Sequence, residues 1–357
     1  MKERYAHIDL LESIAIFFVI IYHSRLYSSD IGNDTTLFKY LEYFFNTVLS
    51  TCVPLFFFVN GYLLFSKDIN LKKHTLKIIR FIFITIVWSV FYLLFFLIIK
   101  GEPFSIRTIV FGVLNMNIKH GLNIMWFMGA MVCIYILYPA LKSLFDLNRK
   151  AFVWFAIICA IFTFGIVAGQ QISDISTVLL NHRVSIVNHD LVKMFNPFKG
   201  IYGYSIVYFC FGGLIHTFEG KIRAITRLKR NTISAIGLFL SSGLLFLLGL
   251  FYTSFNNSTW DVVWYGYDTI FTFANVFFIY VLSLNYEKNY QMVKNISCNT
   301  LGIYFIHNII VIYTKPLLNI SIFGNIPSTV CYALIVLAIS LVISILIKRI
   351  PIIKHLV

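Results

Sequence analysis

The sequence predicts an all-α polytopic integral membrane helix bundle of about ten transmembrane helices, and three observations predict it. First, 59% of the 357 residues are hydrophobic and 12% charged, against about 25% charged in a soluble domain. The mean hydropathy is +0.82, and a soluble fold of this size has too little polar surface to cover so much apolar matter. Second, the apolar residues gather into ten runs near the ~20-residue length that crosses a bilayer. Third, Lys and Arg segregate. With the N-terminus in the cytoplasm, alternate connecting segments hold 20 of them and the opposite set 9. That is the positive-inside asymmetry of an even number of spans with both termini cytoplasmic.

The expected spans are 10–26, 41–65, 78–99, 124–141, 151–168, 201–218, 233–252, 263–284, 301–318 and 328–347. The first follows Lys2 and Arg4 and lacks a small-residue cleavage site, so it reads as a retained span rather than a signal peptide. The second carries Pro54, expected to kink its helix. It also carries Asn60-Gly61, which permits close helix approach. The run 104–114 is too short to span and reads as re-entrant or interfacial. Two long loops, 100–123 and 169–200, lie opposite the basic side, while the basic loops are short. No soluble domain is expected, so residues 1–357 read as one membrane domain, with chemistry inside the bundle or at its outer face. The six cysteines are scattered through apolar sequence and read as small buried hydrophobes rather than a disulfide framework or a zinc site. The formal charge of +14 is assigned to topology rather than to nucleic acid. No metal is expected.

Ionisable residues within spans are costly and mark function by default. The first span holds Asp9, Glu12 and His23. Eleven residues separate Glu12 from His23, a rotation about 20° past three full turns and a rise of about 16 Å. All three therefore fit one face, with the acids toward the inner end and His23 toward the outer end. Two readings stand for the acids: a capping box at the helix start, or part of a polar path. His23 reads as a catalytic or pathway residue, or as a group snorkelling to the interface. His307, midway along GIYFIHNII, reads either as a second catalytic imidazole or as one hydrogen-bonded between helices. Asp268 is a further intramembrane acid with an interior partner. Trp126 reads as a substrate contact or an interfacial belt residue. The sequence has no phosphate-cradling glycine loop, GxSxG elbow, HExxH or paired CxxC, which weakens the case for pumps, serine hydrolases and zinc hydrolases.

Several segments in order resemble membrane-bound acyltransferase family 3. They are RYAHIDLLESIAIFFVIIYH, VPLFFFVNGYLLF, IMWFMGAMVCIYILYPAL, IVYFCFGGLI and ISCNTLGIYFIHNII. Each is soft alone; their joint order and spacing are more specific. The resemblance implies a ten-helix domain in the bacterial cytoplasmic membrane. It implies an O-acyltransferase, most often an O-acetyltransferase, moving an acyl group from cytoplasmic acetyl-CoA or another acyl-CoA to a hydroxyl of an extracytoplasmic or exported polysaccharide. It aligns His23 with the family's first-span His, and Arg4 and Asp9 with its leading Arg and Asp. Where the family usually has an Arg eleven residues before the His, this chain has Glu12, so Arg4, Arg80 or another inner cation is left to meet the phosphates of the donor. The hydrolase-like domain that often follows the family's membrane domain is expected to be absent. A separate protein or the membrane domain itself would then complete transfer.

The chemistry fits. A sugar hydroxyl needs a general base such as a His with pKa near 7, worth about 10²–10⁴-fold. The tetrahedral intermediate needs hydrogen-bond donors; Tyr22, Tyr304, Asn308 and Trp126 are the candidates. The expected partners are acyl-CoA, a glycan acceptor, the bilayer and polysaccharide-synthesis machinery. The competing readings are an exporter of a polysaccharide or lipid-linked sugar without acyl transfer, and a structural subunit in which His23 is dispensable.

Overall fold

In the computed structural model the residues described are 5–27, 31, 36–101, 105–114, 122–180, 203–256, 258–288, 290–318, 324–351 and 353–356. They form helices, and no strand occurs among them.

Helix α1 (Ala6–Ser24) is apolar on nearly all sides, and Leu11, Ala15, Ile16, Val19 and Ile20 are all but fully buried. A helix apolar all round belongs in the middle of a bundle. The capping-box reading of its acids fails here. The helix starts at Ala6 and its N-cap is Tyr5, with no side-chain cap bond. Asp9 and Glu12 therefore lie past the cap, within the helix, and both accept from Ser297.

Residues Leu37–Phe65 make one apolar span broken into α2 (Leu37–Leu49) and α3 (Cys52–Phe65). The break precedes Pro54 by a turn, because a proline nitrogen cannot donate to the carbonyl four residues back, that of Ser50. Ser50 Oγ and Thr51 Oγ1 instead bond the carbonyls of Thr47 and Val48, each at 2.7 Å. Helix α4 (Leu71–Lys100) is capped by the Asn70 side chain and ends at Gly101 with φ +64°, the left-handed conformation that suits glycine. The short α5 (Ile106–Leu114) has nine residues and does not span; it lies against α4, with Gly112 close to Leu93.

Helix α6 (Trp126–Leu147) follows a 3₁₀ turn, Leu122–Met125. Next, α7 (Arg149–Ala160), a π turn and α8 (Ile166–Leu179) form one 31-residue span. The span is longer than the 151–168 expected, and it absorbs the first part of the anticipated 169–200 loop. Residues 181–202 lie outside the described set.

Helix α9 (Tyr204–Arg223) packs backbone to backbone on α3. A Cβ on Gly61 would stand 1.9 Å from the Phe209 carbonyl oxygen, and one on Gly212 would stand 2.0 Å from that of Phe58. The expected close approach at Gly61 is thus real, and it needs a second glycine on the partner.

After α10 (Arg227–Asn256) comes a stretch of turns, 258–269, and only then α11 (Ile270–Ser283). The span expected at 263–284 thus starts at Ile270. Asp268 sits in the turn before it rather than within a helix. Helix α12 (Gln291–Cys298) meets α13 (Thr300–Thr314) at a bend of 78°, pinned by Ser344 Oγ on Asn299 Oδ1 at 3.1 Å. Helix α14 (Ile326–Arg349) closes the bundle.

All ten expected spans fall on helical elements. Seven among the described residues are long and apolar enough to cross a membrane alone, and the bent α12–α13 pair makes an eighth. The other two expected spans are α9, which ends in polar residues, and α11, which has only 14 residues. Large apolar side chains such as Phe83, Phe239 and Ile335 are more than half exposed, as residues facing lipid are. Two cysteines depart from expectation: Cys298 and Cys331 are exposed rather than buried.

Candidate active site

The last turn of α1 carries Tyr22 and His23, with Arg25 just beyond. Asp261, from the turns before α11, fixes this corner. It accepts from the Tyr22 hydroxyl at 2.9 Å and pairs with Arg25 at 3.4 Å. The Arg25 guanidinium lies 4.4 Å over the Tyr22 ring. With its neighbours held, the His23 imidazole is directed toward α13, where the centroid of the His307 ring is 5.5 Å away.

His307 is fully buried. Its Nδ1 is 3.1 Å from the Ile303 carbonyl one turn back. A carbonyl only accepts, so Nδ1 holds the proton and Nε2 holds the lone pair. Nε2 is buried with no hydrogen-bond partner among the described residues. The bond that satisfies His307 therefore lies within its own helix, not between helices. The bend at Asn299 is what brings this ring to the end of α1.

His23 lines a cavity of about 350 Å³, and His307 stands behind it, fully buried. Its walls are aromatic and cationic: Trp126, Trp264, Tyr267, Tyr304, Arg25 and Lys315 contribute. Trp126 and Trp264 meet edge to face with ring centroids 5.6 Å apart. Trp126 therefore faces this cavity instead of serving as an interfacial belt residue. Tyr304 donates its hydroxyl hydrogen to the Ile124 carbonyl. Asn308, beside His307 in sequence, is buried and is not part of the cavity wall.

Asp9 and Glu12 are elsewhere. The Ser297 hydroxyl of α12 lies 2.8 Å from Asp9 Oδ1 and 2.5 Å from Glu12 Oε2, so the acids join α1 to α12 near the opposite end of α1, about 16 Å (Glu12) and about 21 Å (Asp9) from His23 by helix rise. Arg80 is exposed and donates to the His355 carbonyl at 3.0 and 3.3 Å, which ties α4 to the C-terminal turn. Arg4 lies outside the described residues. The residues singled out by sequence thus divide. His23, His307, Trp126 and Tyr304 come together at or beside the cavity; Asp9, Glu12 and Arg80 do not, and Asn308 flanks it.

Sequence reasoning missed a second polar cluster at the Asp9 end. Glu219 of α9 accepts from the Tyr62 hydroxyl, from the Tyr280 hydroxyl at 3.0 Å and from Arg223 Nε at 2.7 Å. His7 Nε2 lies 3.4 Å from the same carboxylate. Its members come from four helices, and Glu219 follows an apolar run at the position of an ordinary loop charge, so nothing in the linear pattern marks it. Asp261, Trp264 and Lys315 were missed for the same reason. They lie in or beside turns, and only folding brings them to His23.

The fold is that of an all-α polytopic membrane protein, with His23 at an aromatic cavity and His307 behind it. The family model described as an acyltransferase domain matches residues 5–348, nearly the whole chain. The chain belongs to this family, acyltransferase family 3, and is on that ground a membrane acyltransferase. No curated protein and no solved structure gives a significant match.

Proposed function

We propose that the protein is an O-acyltransferase that moves an acyl group, most simply acetyl, from cytoplasmic acyl-CoA to a hydroxyl of an extracytoplasmic or exported glycan. The observation that carries this reading is the His23–His307 pair at the aromatic cavity of an acyltransferase-family bundle. The charge asymmetry supports an orientation with both termini cytoplasmic. The Asp9 end of α1 then faces the donor side and the His23 end faces the acceptor side.

In this reading the acceptor hydroxyl enters the cavity and attacks the thioester carbonyl carbon. His23 takes the hydroxyl proton as the C–O bond forms. Collapse of the tetrahedral intermediate breaks the C–S bond, and the imidazolium returns the proton to the leaving thiolate, so the cycle is balanced. His307, with its Nδ1 proton committed to Ile303, positions the His23 ring and presents a lone pair beside it. Of the four oxyanion donors considered, Tyr22 and Tyr304 give their hydrogens to Asp261 and Ile124, and Asn308 is outside the cavity wall. Trp126, the fourth, lines the cavity. Indole faces also suit the C–H faces of a sugar ring. A cavity of about 350 Å³ lies at the small-molecule end of the usual pocket range. It suits one or two sugar rings better than the passage of a polymer, which favours acyl transfer over export.

The test is the O-acetyl content of the envelope polysaccharide, read by NMR, in cells carrying the wild-type chain, a deletion, or His23→Ala at matched protein level. Acetyl groups present only with the wild-type chain are the expected result; acetylation unchanged by deletion would sink the proposal.

A further inference from the structure

Lys315, on the 3₁₀ turn that ends α13, lines the same cavity as His23. It is half-buried and has no hydrogen-bond or ion-pair partner among the described residues. The other cation of the wall, Arg25, is paired with Asp261. No Asp or Glu is among the described residues that line the cavity. Among the described residues, the wall therefore carries one positive charge without a counter-charge, partly withdrawn from water. A neutral sugar would strip more water from this ammonium and return only the weaker hydrogen bond of a hydroxyl acceptor. A negatively charged occupant would return a charge-assisted hydrogen bond.

The geometry points to an anion subsite: the acceptor is an acidic sugar, and Lys315 binds its carboxylate or phosphate while Trp126 and Trp264 bind its ring. This assignment rests on the acyl-transfer reading for the word acceptor, but the binding of an acidic glycan stands or falls by itself. It also divides the labour in the cavity. Trp126 and Trp264 give ring affinity with little regard to charge, and Lys315 adds the discrimination between charged and neutral sugars. A lysine serves either anion, because its ammonium acts as a point charge with three donors rather than as a planar fork.

The experiment is titration calorimetry on the full chain purified in detergent, with three trisaccharides as probes. One is neutral, one carries a glucuronate in place of a glucose, and one carries a glycerol-phosphate substituent. At low salt the wild-type chain is expected to bind one or both acidic probes about tenfold more tightly than the neutral one, a preference that shrinks as salt rises. The two acidic arms tell carboxylate from phosphate. Lys315→Met should bring the acidic probes to within about twofold of the neutral one and leave the neutral affinity unchanged. Lys315→Arg, which keeps the charge, should keep the preference and shows that the position tolerates change. Equal binding of all three by the wild-type chain overturns the inference, as does binding of none. So does a Lys315→Met variant that weakens the neutral and acidic probes alike, which would mark a structural role. Ester formation from acetyl-CoA on the same probes is read separately. A charge preference without ester would count against O-acyl transfer and leave the anion subsite standing.

Discussion

His23 and His307 are 284 residues apart in the sequence yet adjacent in space, and their chemistry differs. His307 is fully enclosed and committed through Nδ1 to its own helix, whereas His23 lines the cavity. In the proposed reaction the residue that meets substrate is therefore His23. His23→Ala is expected to cut acyl transfer by about 10²–10⁴-fold. His23→Gln, which keeps hydrogen bonding but cannot accept the proton, should be equally inactive. O-acetyl content at matched expression checks both, and near-normal acetylation with Gln would shift the role to His307. Glu12 makes a second residue-scale test. As an interior residue held by Ser297, it has no cap to supply. Glu12→Gln keeps the size and the Ser297 contact while removing the charge. We expect activity to fall by more than about tenfold, or ~1.4 kcal/mol of barrier, at unchanged protein level. Activity within about threefold of wild type would leave Glu12 a structural tie between α1 and α12.

At the scale of elements, three junctions position the site. The break at Ser50–Thr51 interrupts the helix within the Leu37–Phe65 span. The 78° bend at Asn299 separates the α12 contact with Asp9 and Glu12 from the α13 contact with His23. The α3–α9 pair supplies a rigid wall through Gly61 and Gly212. This pairing predicts a sharp contrast. Gly61→Ala places a Cβ against a backbone carbonyl at 1.9 Å, which cannot move aside as a flexible side chain would. The cost should reach or exceed the ~1–3 kcal/mol of ordinary overpacking and appear as lost folded protein by size-exclusion chromatography. Gly243→Ala, on α10 with nothing within 4 Å of the added atom, should be neutral or gain up to ~1 kcal/mol from helix propensity. Equal behaviour of the two variants would refute the backbone contact.

Across the whole molecule, the proposed orientation carries cation-rich connections on one side and the His23 cavity on the other. Single cysteines at Asp68 and Ala224, both exposed, are expected to react with an impermeant maleimide only after the cells are opened. A cysteine at Ser258, exposed near Asp261, should react in intact cells. The parent for this test needs the exposed Cys298 and Cys331 replaced first. Labelling of Ala224→Cys in intact cells would reverse the orientation and with it the assignment of donor and acceptor sides.

Composition and run length by themselves determined that this chain is an all-α membrane bundle, because burying apolar runs of this length in lipid requires the backbone to satisfy its own hydrogen bonds in helices. They also singled out His23, His307, Trp126 and the close approach at Gly61, since polar or small residues inside apolar runs are visible without a fold. The linear pattern put Asp9 and Glu12 on the face of His23 but left open whether they were caps, because a helix start is read only to within a few residues. Only the tertiary structure decided that. It placed α1 at the centre, with its acids on Ser297 and its histidine on His307. It also brought Trp264 and Lys315 from turns to the cavity, set Asp261 on Tyr22 and Arg25, and gathered His7, Tyr62, Glu219, Arg223 and Tyr280 into one cluster. Periodicity reports which face of one helix is apolar; it carries no information about which other helix, bent at which residue, will stand opposite.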